Sequence, residues 1–486
     1  MNILYIDIDS LRPDHLGCYG YGRNTSPNID RLAAEGVRFN HCYAADVPCM
    51  PSRTSLFSGK LGYRHGCVSH TGRRAEPFSE GTLRTFRPAW AETSWPRRIR
   101  EAGLHTVTFS PFGERHGAWH WYAGFSEIHD TGKYGHETAD DVAPGVLSWL
   151  QGNAVGRPWF LHVNLWDVHV PYRTPTGYPN PFADEPLPDA WLTQEQLDEH
   201  YHGPGIRSAR DAWFLNHPGD RPDLNPTSLE TLADVRIMHD GYDTAIRYVD
   251  DYVGQMLALI SELGLADDTA VIVSADHGEG LGELNAYGGH CLADQATTRI
   301  PLIVRWPGVT TAETSGSVVD DLCYNIDLSA TVTELLGGSV PDAWDAQSLV
   351  SVLRGRGGSA REQIVLSRLA QTCQRAVRFR DNGTNYLFIR TYRNGYYPFP
   401  DNMLFDLDTD PHEQHDLGPS RPDIIESARE RLGAWKDEMA SRSDHDDPLT
   451  TVLADPIEHV SAERYARRLR DTGRGDWIDR LGLSGV

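Results

Sequence analysis

The chain of 486 residues contains no run approaching the ~18 uninterrupted apolar residues that a membrane-spanning helix needs. No membrane partner is expected from it. Positive charge is also short: 45 Lys and Arg stand against 68 Asp and Glu, a net charge of -23. Such a surface repels nucleic acid and long polyanions, although a small anion can still enter a locally positive pocket. The cysteines number seven, odd and without regular spacing, which does not make a disulfide framework. Cys18, Cys42, Cys67, Cys291, Cys323 and Cys373 are expected to be reduced packing residues. A basic leader and an apolar signal region are lacking too, since the chain opens on Asn2-Ile3-Leu4-Tyr5-Ile6. A cytoplasmic protein is the expectation. What is present is ordinary globular composition, 40% hydrophobic, in a length suited to one large domain plus a smaller one.

The most informative stretch is Val47-Pro48-Cys49-Met50-Pro51-Ser52-Arg53-Thr54-Ser55-Leu56-Phe57-Ser58-Gly59-Lys60. Prolines hold the backbone extended up to a helix start. Cys49 therefore sits at a helix N-terminus, where free N–H groups favour an anion. Arg53 lies one turn along and can reach back to it. Taken alone this describes a low-pKa thiol or, more plainly, a buried structural cysteine.

Other chemistry-bearing residues fall at the ends of apolar, strand-like runs, where ligands bind in α/β sheets. Ile3 to Ile8 is followed by Asp9-Ser10-Leu11-Arg12, and Asp7 faces the same side of the strand as Asp9. Buried carboxylates need a cation or several donors, so this is a metal site or an ion pair with Arg12. Thr106 to Phe109 leads to Arg115-His116, and Trp159 to Trp166 leads to Asp167-Val168-His169-Val170-Pro171-Tyr172. Ala270 to Ala275 is closed by Asp276-His277-Gly278-Glu279, and His290 follows eleven residues before Pro301. Strand ends alternating with helical segments predict an α/β fold with a large, mixed, mostly parallel sheet sandwiched by helices.

The organisation follows from composition. Residues 173–228 are rich in Pro, Asp, Gly and aromatics, the profile of a lid or substrate-binding insertion. Leu229 to Leu263 contains a long amphipathic helix whose stripe (Ile237, Tyr242, Ile246, Val249, Val253, Met256, Leu257, Ile260) is core. Gly355 to Ala360 reads as a linker. It divides a catalytic region, 1–358, from a small C-terminal α+β subdomain, 359–486, with a hairpin around Asp381-Asn382-Gly383-Thr384-Asn385 and a helix from Pro422 to about Ala440. His70, Arg73, Arg74 and Tyr392 to Tyr397 are candidates for the pocket rim. The polar tail leaves oligomerisation open.

The string C-x-P-S-R with its Ser-Gly-Lys ending resembles the signature of the sulfatase family, in which the cysteine is oxidised to formylglycine. Asp276-His277 resembles the metal-binding pair of sulfatases and related phosphoesterases, and Asp9 matches the first of two adjacent acidic metal ligands. The second is Ser10 here, a departure: either Ser10 is not a ligand or Asp7 partly compensates. The strand end at His169 resembles the family's Pro-His-x-Pro-Tyr. Where many sulfatases carry Lys-Trp-His, only Arg115-His116 offers comparable chemistry, and His290 stands where a lysine is usual.

The resemblance implies an alkaline phosphatase-like fold and hydrolysis of a sulfate ester to alcohol and sulfate. Asp9, Asp276, His277, residue 49 and, more weakly, Asp7 would hold one divalent ion. Mostly oxygen ligands with one imidazole suit a hard cation, calcium first, with magnesium or manganese as alternatives. Hydrated formylglycine would attack sulfur with one hydroxyl, Arg53 would neutralise charge on the transferring oxygens, and His169 or His290 would protonate the leaving alcohol. His116 would take the proton of the second hydroxyl as sulfate is expelled, an exit a serine lacks. A formylglycine-generating enzyme is an implied partner, and the substrate is a small sulfated sugar or aryl sulfate. A phosphodiesterase or phosphonate monoester hydrolase of the same superfamily is the alternative, and a non-catalytic binding protein on this scaffold is a further one.

Overall fold

Every residue of the first strand, β1 (Asn2–Ile8), is buried, as a near-continuous apolar run requires when both faces of a sheet are covered. A computed structural model describes the chain except residues 71, 79–89, 91–92, 209–220, 359–360, 396, 456–460 and 486. Tyr396, the linker residues Ser359 and Ala360, the side chain of Arg73 and part of the 173–228 insertion therefore lie outside the described residues.

The remaining strands are β2 (Val37–Tyr43), β3 (Asp46–Val47), β4 (His105–Phe109), β5 (Glu127–His129), β6 (Trp159–Leu165), β7 (Thr269–Ser274), β8 (Gly280–Leu281), β9 (Tyr287–Gly289), β10 (Arg299–Arg305), β11 (Ser317–Tyr324), β12 (Gln363–Ala370), β13 (Thr372–Asp381), β14 (Thr384–Arg393) and β15 (Asn402–Asp406). Eight of them make the main sheet in the order β11-β2-β10-β7-β1-β6-β4-β5. It is parallel except for β10, which runs against both β7 and β2. The principal helices are α1 (Pro27–Glu35), α2 (Cys49–Ser58), α3 (Trp95–Glu101), α4 (Ala139–Asn153), α5 (Gln194–His202), α6 (Leu232–Glu262), α7 (Asp327–Leu335) and α8 (Pro422–Ser441). Helices α1 and α4 pack on α6, while α2, α3 and α7 pack on one another. The architecture is the expected α/β one.

The core stripe of α6 runs through Met238, Tyr242, Ile246, Val249, Val253, Met256 and Ile260, all buried; Ile237 and Leu257 lie at its half-buried edges. Within the insertion, α5 is a regular helix in a stretch otherwise rich in Pro, Asp and Gly. Thr193 accepts from the Gln196 backbone while the Gln196 side chain returns to Thr193, a local capping box that needs no apolar stripe.

A second sheet, β15-β14-β13-β12-β3, is antiparallel except where β12 meets β3. There Ser367 pairs with Asp46 and Arg368 with Val47. The strand pairing thus reaches from the C-terminal sheet to the segment just before Cys49, and apolar side chains of both regions share one core cluster.

Helix α1 has a proline in its first turn but no side-chain cap from Ser26. Its free N–H groups are met instead by Asp250 of α6, which accepts from the Asn28 and Ile29 backbones at 2.9 Å and from the Asn28 amide at 2.8 Å. Asp250→Ala should cost about 1–3 kcal/mol, because buried donors lose their acceptor. A fall in the urea midpoint with unchanged activity per folded molecule is the expected result; an unchanged midpoint would contradict the capping role.

Candidate active site

Strands β7, β1 and β6 are consecutive and parallel, so their carboxyl ends bring Asp276-His277, Asp9 and His169 to one edge of the sheet. Helix α2 delivers Cys49 to the same place. Asp9, Cys49, Asp276 and His277, all buried, offer ligand atoms within 4.8 Å of one another. Cys49, His169 and His290 form an overlapping second group within the same limit. The Cys49 sulfur is 3.2 Å from His277 Nε2.

Local structure aims each group. His277 Nδ1 donates to the Gly278 carbonyl at 2.8 Å, which leaves Nε2 for the cluster. Gly278 is required because a Cβ there would collide with the Ala296 carbonyl. Asp276 Oδ1 accepts from the backbones of His277 (2.9 Å) and Ser10 (3.2 Å). Ser10, at φ +60°, is not placed as a substitute carboxylate: its hydroxyl donates to Asp9 Oδ1 at 3.1 Å. Its turn is clamped by Tyr242, whose hydroxyl donates to the Ser10 carbonyl at 2.6 Å and accepts from the Arg12 backbone at 2.9 Å.

Arg53 carries the balancing charge. Its guanidinium pairs with Asp7, with Asp9 at 2.8 Å and with Asp276 at 3.0 Å. Asp7 is thus drawn to Arg53 and, at 3.2 Å, to His162, and it is not brought into the four-residue cluster. Arg12 does not pair with Asp7 or Asp9 either; it binds Asp14 at 2.6 Å and Glu283 at 2.9 Å. Nor does Arg53 point a free fork at a substrate, because the carboxylates behind Cys49 occupy it.

Burial and the neighbouring Asp276 carboxylate push Asp9 well above the usual carboxylate range. Burial acts the same way on Asp276, but the charges of Arg53 and His277 and the backbone donors of Ser10 and His277 together outweigh it and hold that carboxyl below its ordinary value. Two carboxylates crowded with an imidazole whose free nitrogen faces them are a donor set that a hard divalent cation fits. Burial, then Asp9 and Asp276, pushes the Cys49 thiol well above its ordinary value, so an unmodified Cys49 is a neutral thiol, not a thiolate nucleophile.

The histidines are held neutral by their surroundings. Burial brings His277 down to about 4 and, with the charge of Arg368, His290 down to about 3. His169 is depressed by burial and by His290; its Nδ1 donates to the Val170 carbonyl at 2.6 Å and its ring stacks on Trp166 at 4.2 Å. His116 is not brought into either cluster. Its Nε2 accepts from Arg115 Nε at 3.2 Å and its ring stacks on His70 at 5.1 Å. Arg115 itself pairs with Glu137 at 3.4 Å and lies over the Trp166 ring.

Two residues were not singled out from sequence. Glu279, fully buried and pushed by burial up to about 8, has Oε2 3.9 Å from His290 Nδ1. Its signal was present in the Asp-His-Gly-Glu string. Arg368 lies in β12, far along the chain, and a single basic residue in an apolar strand carries no motif. A separate cavity of about 510 Å³ between the insertion and α6, lined by Trp191, Leu192, Val235, Arg236 and His239 among others, contains none of the clustered residues.

The family model described as sulfatase matches residues 1–339, and one described as N-sulphoglucosamine sulphohydrolase, C-terminal, matches 282–437. The multifunctional alkaline phosphatase superfamily protein PehA of Trinickia caryophylli is 26% identical over 510 residues, covering 91% of this chain and 96% of its own. Human N-acetylgalactosamine-6-sulfatase is 28% identical over 382 residues, covering 73% of this chain and 66% of its own. Among solved structures, BT4656 in complex with its substrate D-glucosamine-2-N,6-O-disulfate is similar in fold (TM-score 0.70, 18% identity, 92% of this chain and 99% of that one). So is the phosphonate monoester hydrolase of Agrobacterium radiobacter (TM-score 0.67, 21% identity, 90% and 96%). With its family model matched over residues 1–339, the chain belongs to the sulfatases, a family of sulfuric ester hydrolases.

Proposed function

We propose that the protein hydrolyses the sulfate ester of a small sugar, with Cys49 converted to formylglycine and one divalent ion held by Asp9, Asp276, His277 and residue 49. The observation that carries this reading is the buried group of those four residues, with ligand atoms within 4.8 Å of one another. Calcium is the first choice for so oxygen-rich a donor set, ahead of magnesium or manganese. A sugar rather than an aryl sulfate is favoured by relatives named for amino-sugar sulfates.

When bound, such an ion polarises a sulfate oxygen and acidifies a hydroxyl at residue 49. The chain's own residues do the rest. Arg53 bridges Asp7, Asp9 and Asp276 and thereby fixes α2 and residue 49 against the strand ends. His169 and His290, grouped with Cys49, are the candidate acids; both are neutral here, so one must take up a proton as the sulfate anion binds before passing it to the departing alkoxide. The insertion at 173–228 is assigned to substrate choice, and residues 1–358 and 359–486 to a catalytic part and its smaller companion.

A second reading, hydrolysis of a phosphate diester or phosphonate monoester, takes its support from the likeness in fold to the phosphonate monoester hydrolase of Agrobacterium radiobacter over 90% of the chain. The two are separated by maturing the protein with a formylglycine-generating enzyme and comparing kcat/KM for an aryl sulfate and an aryl phosphate diester. The expected preference for sulfate is about a hundredfold or more, roughly 2.7 kcal/mol in transition-state binding; a preference for the diester would reassign the enzyme. The peptide carrying Cys49 should be lighter by the difference between CH2SH and CHO, and Cys49→Ala should abolish turnover. Full activity in Cys49→Ala would remove residue 49 from the chemistry. Chelation of divalent ions, or Asp276→Asn, should lower kcat about a thousandfold, because several kcal/mol of charge stabilisation is lost. Re-addition of calcium, magnesium and manganese in parallel to the chelated enzyme identifies the ion, and activity that survives chelation would sink the metal assignment.

A further inference from the structure

The pocket has a basic group that the mechanism above leaves unused. Arg368 is completely buried in β12. Its Nε and both terminal nitrogens have no hydrogen-bond partner, which makes it the one arginine among the described residues with all three nitrogens buried and unbonded. The ionisable groups that bear on it most are not carboxylates but the thiols of Cys291, Cys373 and Cys49, with Cys291 lying against it. Its charge is also felt at His290, so the guanidinium lies within electrostatic reach of the place where Cys49, His169 and His290 meet.

Arg53 is held by Asp7, Asp9 and Asp276, Arg12 by Asp14 and Glu283, and Arg115 by Glu137. A buried cation with no counter-charge is costly to fold around. The cost is offset when an anion enters and meets it. A sulfate ester carries one negative charge on non-bridging oxygens, and a planar guanidinium fork matches two of them at once. Backbone pairing of Arg368 with Val47, two residues before Cys49, fixes the fork's distance from the reacting residue.

We propose that Arg368 is a catalytic residue that binds the sulfate group directly, its guanidinium donating to non-bridging oxygens from the β12 side of the pocket. This rests on the sulfatase reading above. It places part of the sulfate site beyond residue 339, where the sulfatase family model ends.

The test uses the matured, metal-loaded enzyme with Arg368→Gln, Arg368→Met and Arg368→Lys. In sulfate-free buffer the Gln and Met variants should melt at or above the wild-type Tm, because an uncompensated buried charge is gone. Millimolar inorganic sulfate should raise the wild-type Tm but not theirs. Their kcat/KM for an aryl sulfate should fall about a hundredfold or more, with Lys in between because it keeps the charge and loses the fork. Free guanidinium should restore part of the activity of Arg368→Ala.

Activity within about threefold of wild type in the Gln variant, or an equal rise in Tm with sulfate in every protein, overturns the assignment. So does failure of both Gln and Met variants to fold, which makes Arg368 a structural residue. A wild-type enzyme inactive on the sulfate would sink the sulfatase reading instead. Melting with inorganic sulfate and with inorganic phosphate would then still decide whether Arg368 binds an oxyanion.

Discussion

Carboxylates buried side by side repel one another, and the centre of this molecule is built around containing that repulsion. Asp7, Asp9 and Asp276 stand on or just beyond the carboxyl ends of two neighbouring parallel strands whose packing brings them together whether or not their charges agree. A single guanidinium, Arg53, bridges all three. Because Arg53 and Cys49 are one turn apart on α2, the same ion pairs hold the cysteine over the strand ends. The sulfur's approach to His277 follows from that. Remove the guanidinium and both the charge balance and the position of residue 49 are lost together.

The sheet explains why the site lies where it does. Only neighbouring parallel strands can present several carboxyl ends to one point, and β7, β1 and β6 do so with no strand between them. Antiparallel β10 contributes nothing at that edge; it carries the chain back from the loops that bear His277 and His290. The turn after β1 is then held by α6 through Tyr242, so a core helix with no ligand of its own sets the orientation of Asp9 by way of Ser10.

The C-terminal sheet is part of the same arrangement. By pairing with β3 it grips the chain just before Cys49, and it sets a buried arginine, Arg368, beside Val47 from a segment more than three hundred residues away in sequence. The site is therefore charged from two directions. Carboxylates and Arg53 balance each other at the strand ends, and Arg368 stands uncompensated on the other strand system. This is consistent with an acidic protein that handles a small anion: the net charge of -23 lies over the whole chain, while the positive potential is local.

Residues whose chemistry depends on immediate neighbours were legible in the sequence. Cys49 between its prolines, Asp9 at the end of an apolar run and Asp276-His277 with the glycine that lets the turn close are local patterns. Local sterics and strand periodicity are enough to place such residues at the carboxyl edge of the sheet. The α/β class and the long helix α6 were legible for the same reason. Asp7, Arg53, His116 and Arg368 were not, because what each one faces depends on pairings between distant segments. Asp7 shares a strand face with Asp9 but was claimed by an arginine from α2, and His116 was turned toward Arg115 and His70. The sequence by itself thus determined which groups stand at the strand ends. Only the tertiary structure decided which of them are neutralised by one another and which remain to meet a ligand, because that depends on charge and desolvation summed over segments that meet only in the fold.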